Sequence, residues 1–175
     1  MNWQKLKKET EQLWEGIELY SDCYYQIQPM SKWLPGLSEF YIDMLEDDIG
    51  LPFPNSYRAM LSVMQGVDKP QVSIDSCEEE WRYERRFYQY PKDWELVQYY
   101  IEKIDRHKRA VHEALNSFNT MGIIGYIPIY AHRALVVFND PSLSPVISVM
   151  GNDVVVYGNN LEEYFQHEFL RGNEY

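Results

Sequence analysis

Residues 123–170 read IIGYIPIY-AH-RALVVF-NDPSLS-PVISVM-GN-DVVVY-GNN-LEEYFQHEFL, and the reading of this stretch decides the fold. Four runs, Ile123–Tyr130, Arg133–Phe138, Pro145–Met150 and Asp153–Tyr157, are rich in β-branched and aromatic residues. Turn chemistry separates them: Ala131-His132, then Asn139-Asp140-Pro141, then Gly151-Asn152. A two-residue connection can join antiparallel strands but cannot carry a parallel crossover. The expectation is an antiparallel sheet with a hairpin at Gly151-Asn152. Gly158-Asn159-Asn160 then leads into a last helix, Leu161–Leu170, with Asn160 at its N-cap and Glu163 three residues on, much like a capping box.

Outward from this block, Asp93 is placed to cap one long helix that runs to about Phe118. Its apolar stripe is Val97, Ile101, Ile104, Val111, Leu115 and Phe118. Before it, residues 67–92 read as an irregular insertion with a short strand at Gln71–Ile74. Leu51-Pro52-Phe53-Pro54 cannot be helical, because each proline restricts the residue before it. Asn55 or Ser56 can cap a helix from Tyr57 to Met64 that ends at Gly66. Ser38 precedes a shorter helix, with Phe40, Ile42, Met44 and Leu45 as its apolar set and Glu39, Asp43, Glu46, Asp47 and Asp48 outside; Gly50 stops it. Tyr24 to Gly36 reads as a connecting loop. Trp3, Leu6, Thr10, Leu13, Ile17 and Tyr20 mark one stripe of a first helix. The fold class is therefore α+β, with N-terminal helices and one long middle helix on an antiparallel sheet, closed by a C-terminal helix. No repeat or linker divides residues 1–175, so a single domain is expected.

Composition narrows the function. The chain has 175 residues, 45% of them hydrophobic, enough for a core that needs no disulfide or metal staple. Its 27 acids and 16 bases leave a net charge of −11, which repels phosphate backbones and favours a basic partner. Cys23 and Cys77 form no CxxC pair or secretory framework, and Met1 to Glu11 is polar, without the apolar core of a signal peptide. The longest apolar runs fall far short of the ~20 residues a membrane helix needs. A cytoplasmic protein is expected, with no membrane or direct nucleic-acid contact.

Pro128-Ile129-Tyr130-Ala131-His132-Arg133, then Pro145–Val149, then the run from Asp153 to Phe165, resembles the strand–strand–helix ending of the SUKH superfamily. Leu51-Pro-Phe-Pro-Asn-Ser-Tyr-Arg58, followed by Met60, Leu61 and Gly66, is similar to its other common element. Together they span roughly half the chain in the family's order. Residues 73–92 match neither element, and the long helix after them looks like a subgroup elaboration. The superfamily includes bacterial toxin-immunity proteins and fungal cell-wall-synthesis regulators of the Smi/Knr type. The resemblance implies a non-catalytic protein-binding role. The bacterial branch implies an immunity protein, an antitoxin in effect, against a cognate toxin, and many such toxins are nucleases with basic clefts. The alternative is a regulatory or scaffold protein like the fungal members.

The residues themselves point away from catalysis. His107 and His112 are five apart on a helix and so face different ways, unlike zinc ligands at i and i+4. The acidic runs lack the alternating ligands and glycine of a calcium loop. No G-x-S-x-G, Walker loop or G-x-G-x-x-G occurs. Neither an enzyme nor a cofactor or metal is expected. His132-Arg133 sits at a tight strand junction, where Arg133 can pair with a carboxylate or cap carbonyls at the turn, and a ligand or partner contact can coexist with that structural role. The candidate partner-binding residues are Asp47, Asp48, Glu78, Glu79 and Glu80, with Trp81 and Tyr83 as aromatic anchors, and His132 and Arg133.

Overall fold

The computed structural model describes residues 2–20, 25–75 and 80–170. In chain order, helix α1 (Trp3–Glu15) is followed by strand β1 (Trp33–Pro35), helices α2 (Glu39–Ile49) and α3 (Asn55–Leu61), and strands β2 (Met64–Val67), β3 (Gln71–Asp75) and β4 (Glu80–Glu84). Then come helices α4 (Trp94–Asp105) and α5 (Lys108–Ala114), a single 3-10 turn, and strands β5 (Ile123–Tyr130), β6 (Arg133–Phe138), β7 (Val146–Met150) and β8 (Asp153–Gly158). Helix α6 (Leu161–Phe169) ends the described chain.

The last four strands form one antiparallel sheet in the order β5-β6-β7-β8, with the β7–β8 hairpin turning at Gly151-Asn152. Every residue of β6 is buried, as a run without polar alternation requires when both faces are covered. One face, with Ile127, Ile129, Leu135 and Val137, packs with α1, α2, α3 and α6. The other, with Tyr126, Ala134, Val136 and Ile147, packs on Ile104, Val111 and Leu115. The sheet thus lies between two helical layers. On the first face the core is strongly aromatic: Trp33 meets Phe87 edge-on at 4.9 Å, and Trp3 meets Phe165 at 5.3 Å. Thr10 belongs to this core because its hydroxyl accepts the Trp33 indole N–H at 2.7 Å. No helix among the described residues is long and apolar enough to cross a membrane.

Several expectations need correction. The long middle helix is two helices, α4 and α5, and helix ends at Ala114, short of Phe118. Between Ile104 and Val111 no apolar residue anchors a turn except Ala110, and the break lets α4 cover β5 while α5 covers β8. The helix expected over Tyr57–Met64 spans Asn55–Leu61; Pro54 holds the N-cap position, and Met64 opens β2. Its partner β1 lies inside what reads as a loop. Gly36 permits this approach, since a Cβ there would sit 2.3 Å from the Ser62 carbonyl oxygen. The segment read as irregular contains the β3–β4 hairpin. The first helix stops at Gly16, before Ile17 and the exposed Tyr20, and within it Leu13 is exposed while Trp14 takes the buried position. Asp93 precedes α4 but does not cap it; its carboxylate accepts the Gln89 N–H at 2.9 Å. Other signals hold. Gly50 ends α2 in the left-handed region at φ 72°, and the Asn160 side chain accepts the Glu163 N–H at 2.8 Å. Glu163 returns the bond to the N–H of Asn159, one residue earlier than a capping box would have it.

Candidate functional site

Two clusters bring sequence-predicted residues together, and they are built in opposite ways. The first is the outer face of α2. At about 100° per residue, Ile42, Leu45 and Ile49 fall on one side and enter the core, while positions 40, 44 and 47 fall on another. Phe40, Tyr41 and Met44 are therefore 67%, 48% and 39% exposed, which corrects the expectation that Phe40 and Met44 are core residues. The two rings pack edge-on at 5.6 Å.

The carboxylates of α2 divide as well. Glu39, Asp43 and Glu46 are spaced four and three apart on one face, and all three engage Arg58 of α3, with Asp43 at 2.7 Å. Glu46 also accepts the Phe53 N–H. These charges hold α2 to α3. Asp48 accepts the Tyr90 hydroxyl at 2.6 Å, which with partial burial pushes the Tyr90 pKa up to about 12. Asp47 is exposed and makes no hydrogen bond or ion pair among the described residues. Of the predicted acids, Asp47 and Asp48 thus sit beside an apolar ridge.

Glu78 and Glu79, like Cys23 and Cys77, lie outside the described residues. Glu80 opens β4 opposite Asp75 in register. Trp81 and Tyr83 are 53% and 56% exposed and share one face of the β3–β4 pair, paired in register with Ile74 and Val72. Among the described residues no hydrogen bond, ion pair or ring contact joins them to Asp47 or Asp48.

The second cluster surrounds the β5–β6 turn. Ala131 takes a left-handed φ of 48°, a conformation held by two bonds: its N–H donates to the Arg86 carbonyl at 2.7 Å, and its carbonyl accepts the Tyr88 hydroxyl at 2.6 Å. Arg133 follows, buried, with its guanidinium carbon 3.8 Å over the Tyr157 ring. Its Nε lies 3.5 Å from Glu168, and its Nη1 donates to Ser148 Oγ at 3.1 Å and to Nε2 of His132. Burial outweighs this attraction at Glu168, so the carboxyl titrates above its ordinary value. The His132 pKa drops to about 4, first through burial and then through Arg133, Lys103 and Arg86. The structural share of the His132-Arg133 pair is therefore an ion pair tying β6 to α6. Nε2 of His132 and Ser148 Oγ both face one guanidinium, and no hydrogen bond joins the two among the described residues.

No family model, curated protein or solved structure matches the chain.

Sequence reasoning missed Arg58, although the i, i+4, i+7 spacing of Glu39, Asp43 and Glu46 signals one face awaiting a cation. It also missed Phe40 and Tyr41 as surface residues, which a strict face count would find. Arg86 near His132, and Tyr157 and Glu168 at Arg133, had no such signal, because each arrives from a different element.

Proposed function

We propose that this chain is a cytoplasmic, non-catalytic binding protein that receives a basic protein partner on the outer face of α2. One observation carries the reading: three large apolar side chains stand exposed beside unneutralised carboxylate on a helix whose other acids are committed internally. A face kept only for solubility has no use for exposed aromatics. A binding face uses both kinds of group. Carboxylates steer a basic partner over a Debye length, and aromatic anchors hold it once water is expelled. The SUKH-like order of motifs, from Leu51–Arg58 to Asp153–Phe165, supports the further reading of an immunity protein against a cognate bacterial toxin. A nuclease toxin suits it best, since its cleft is basic.

The test begins with the neighbouring gene: if it encodes no toxin-like domain the immunity reading fails, and if it does, association and dissociation rates with that domain are measured at low and physiological salt. Asp47→Lys/Asp48→Lys lowers the on-rate about tenfold at low salt, and salt narrows the difference. Phe40→Ala raises the off-rate by about tenfold and leaves the on-rate nearly unchanged. If Glu78→Lys/Glu79→Lys alone produces the on-rate loss, the hairpin is the face and the assignment to α2 is wrong. Absence of binding overturns the immunity reading.

A further inference from the structure

We propose that the rim around His132 is a binding site for a small oxyanion, a carboxylate or a phosphate group, received by the imidazole Nδ1–H with Arg86 and Lys103 beside it. The inference stands apart from the α2 reading and calls for ligand of opposite sign.

Its first ground is the tautomer. A guanidinium carries only donors, so the His132 nitrogen facing Arg133 Nη1 must present its lone pair. The proton of the neutral ring therefore sits on Nδ1. His132 is half-buried, and Nδ1 has no acceptor among the described residues. The result is an N–H donor on a half-buried ring, unpaired among the described residues, that needs no added proton to be a donor.

The second ground is charge. Three cations from three different elements, Arg133 of β6, Lys103 of α4 and Arg86 after β4, act on this one ring. Among the described residues two carboxylates answer them: Glu84 pairs with Arg86, and Glu168 with Arg133. Lys103 has no carboxylate partner among the described residues, and its ammonium lies 5.5 Å over the Tyr100 ring. The Nε of Arg86 is buried and makes no hydrogen bond among the described residues. Among the described residues the Lys103 charge is thus left unanswered, on a chain of net charge −11. A metal ion is disfavoured there, because the same cations repel it.

The third ground is shape. The Tyr25 ring lies 4.8 Å from the Arg86 guanidinium and 6.3 Å from the His132 ring, so cations and rings alternate along the rim. The Tyr25 and Tyr100 rings thus stand beside the cations of the rim, and a hydrogen bond from such a rim to an oxyanion is charge-assisted and stronger than a neutral one.

The experiment is a titration of the whole protein at pH 7, following the His132 ring resonances by NMR, with inorganic phosphate in one arm and succinate in the other. The nitrogen shifts of the free protein report the Nδ1–H tautomer. Expected is a saturable shift in at least one arm. Phosphate alone identifies a phosphate site, succinate alone a carboxylate site, and both a general oxyanion site. Lys103→Gln weakens binding about threefold, and His132→Phe, followed through the Ser148 amide, weakens it about tenfold. Lys8→Gln removes the same charge elsewhere and leaves it unchanged. If His132→Phe does not fold, the comparison of Lys103→Gln with Lys8→Gln decides. An Nε2–H tautomer, a Kd above about 50 mM in both arms, or equal effects of the two lysine variants overturns the proposal.

Discussion

The outer face of α2 and the turn at His132 both concentrate charge, yet they spend it differently. On α2, Arg58 gathers Glu39, Asp43 and Glu46 within one pair of adjacent helices, and the remaining ridge faces water. At the turn, Arg133 is buried and joins β6 to β7 through Ser148 and to α6 through Glu168. Where charge is screened by water, a substitution changes encounters with other molecules. Where it is buried against rings, a substitution changes the stability of the fold.

That contrast gives an order of expected effects. Arg133→Met should be the most costly change, about 3–5 kcal/mol in urea unfolding, because Glu168 is left buried without its counter-charge. Restoring most of that loss with Arg133→Met/Glu168→Gln would confirm that the orphaned carboxylate, and not lost packing, sets the cost. A double variant as weak as the single one would place the cost in the contact with Tyr157.

Arg58→Ala should cost less, about 1–2 kcal/mol, since its partners remain partly hydrated and can turn to solvent. Part of the loss should return in 1 M salt, which screens repulsion among the three carboxylates; Arg133→Met should gain little from salt.

The turn should also be sensitive to acid. The folded-state pKa of His132 lies near 4, below the unfolded value of about 6.5, so the unfolded chain binds more protons between these two. This contribution to stability is complete above pH 6.5 and is lost as pH falls toward 4. Glu168, shifted upward, acts in the opposite sense, its contribution growing as pH falls. Unfolding midpoints of His132→Gln and the parent chain, compared at pH 7 and pH 5, isolate the histidine. The variant should lose less stability on acidification, and parallel profiles would show that the ring is not held neutral.

The smallest effects belong to the ridge. Phe40→Ser and Asp47→Asn should each change stability by no more than about 0.5 kcal/mol, because neither side chain contributes to the core. A loss above about 2 kcal/mol for Phe40→Ser would mean that the ridge is part of the fold and not an offered surface.

The sheet was legible from sequence because its information is local. Turn residues at Ala131-His132 and Gly151-Asn152, and β-branched runs between them, leave few ways to pair the strands. The C-terminal helix announced itself through Asn160 in the same way. The middle of the chain was harder, since β1 and β2 are three and four residues long and pair only through the close approach at Gly36. The break between α4 and α5 depends on where β5 and β8 lie beneath them, which no window of sequence contains.

The same divide governs the candidate sites. Sequence alone determined the acidic balance, the antiparallel sheet and the place of His132-Arg133 at a strand junction, because charge, period and turn chemistry act over a few residues. Tertiary structure alone decided which acids of α2 are engaged within the fold, since Arg58 and Tyr90 reach α2 from other elements. It likewise decided the state of His132. A histidine's proton depends on the charges and the burial that surround it, and here those come from β6, α4 and the chain after β4, brought together only by folding.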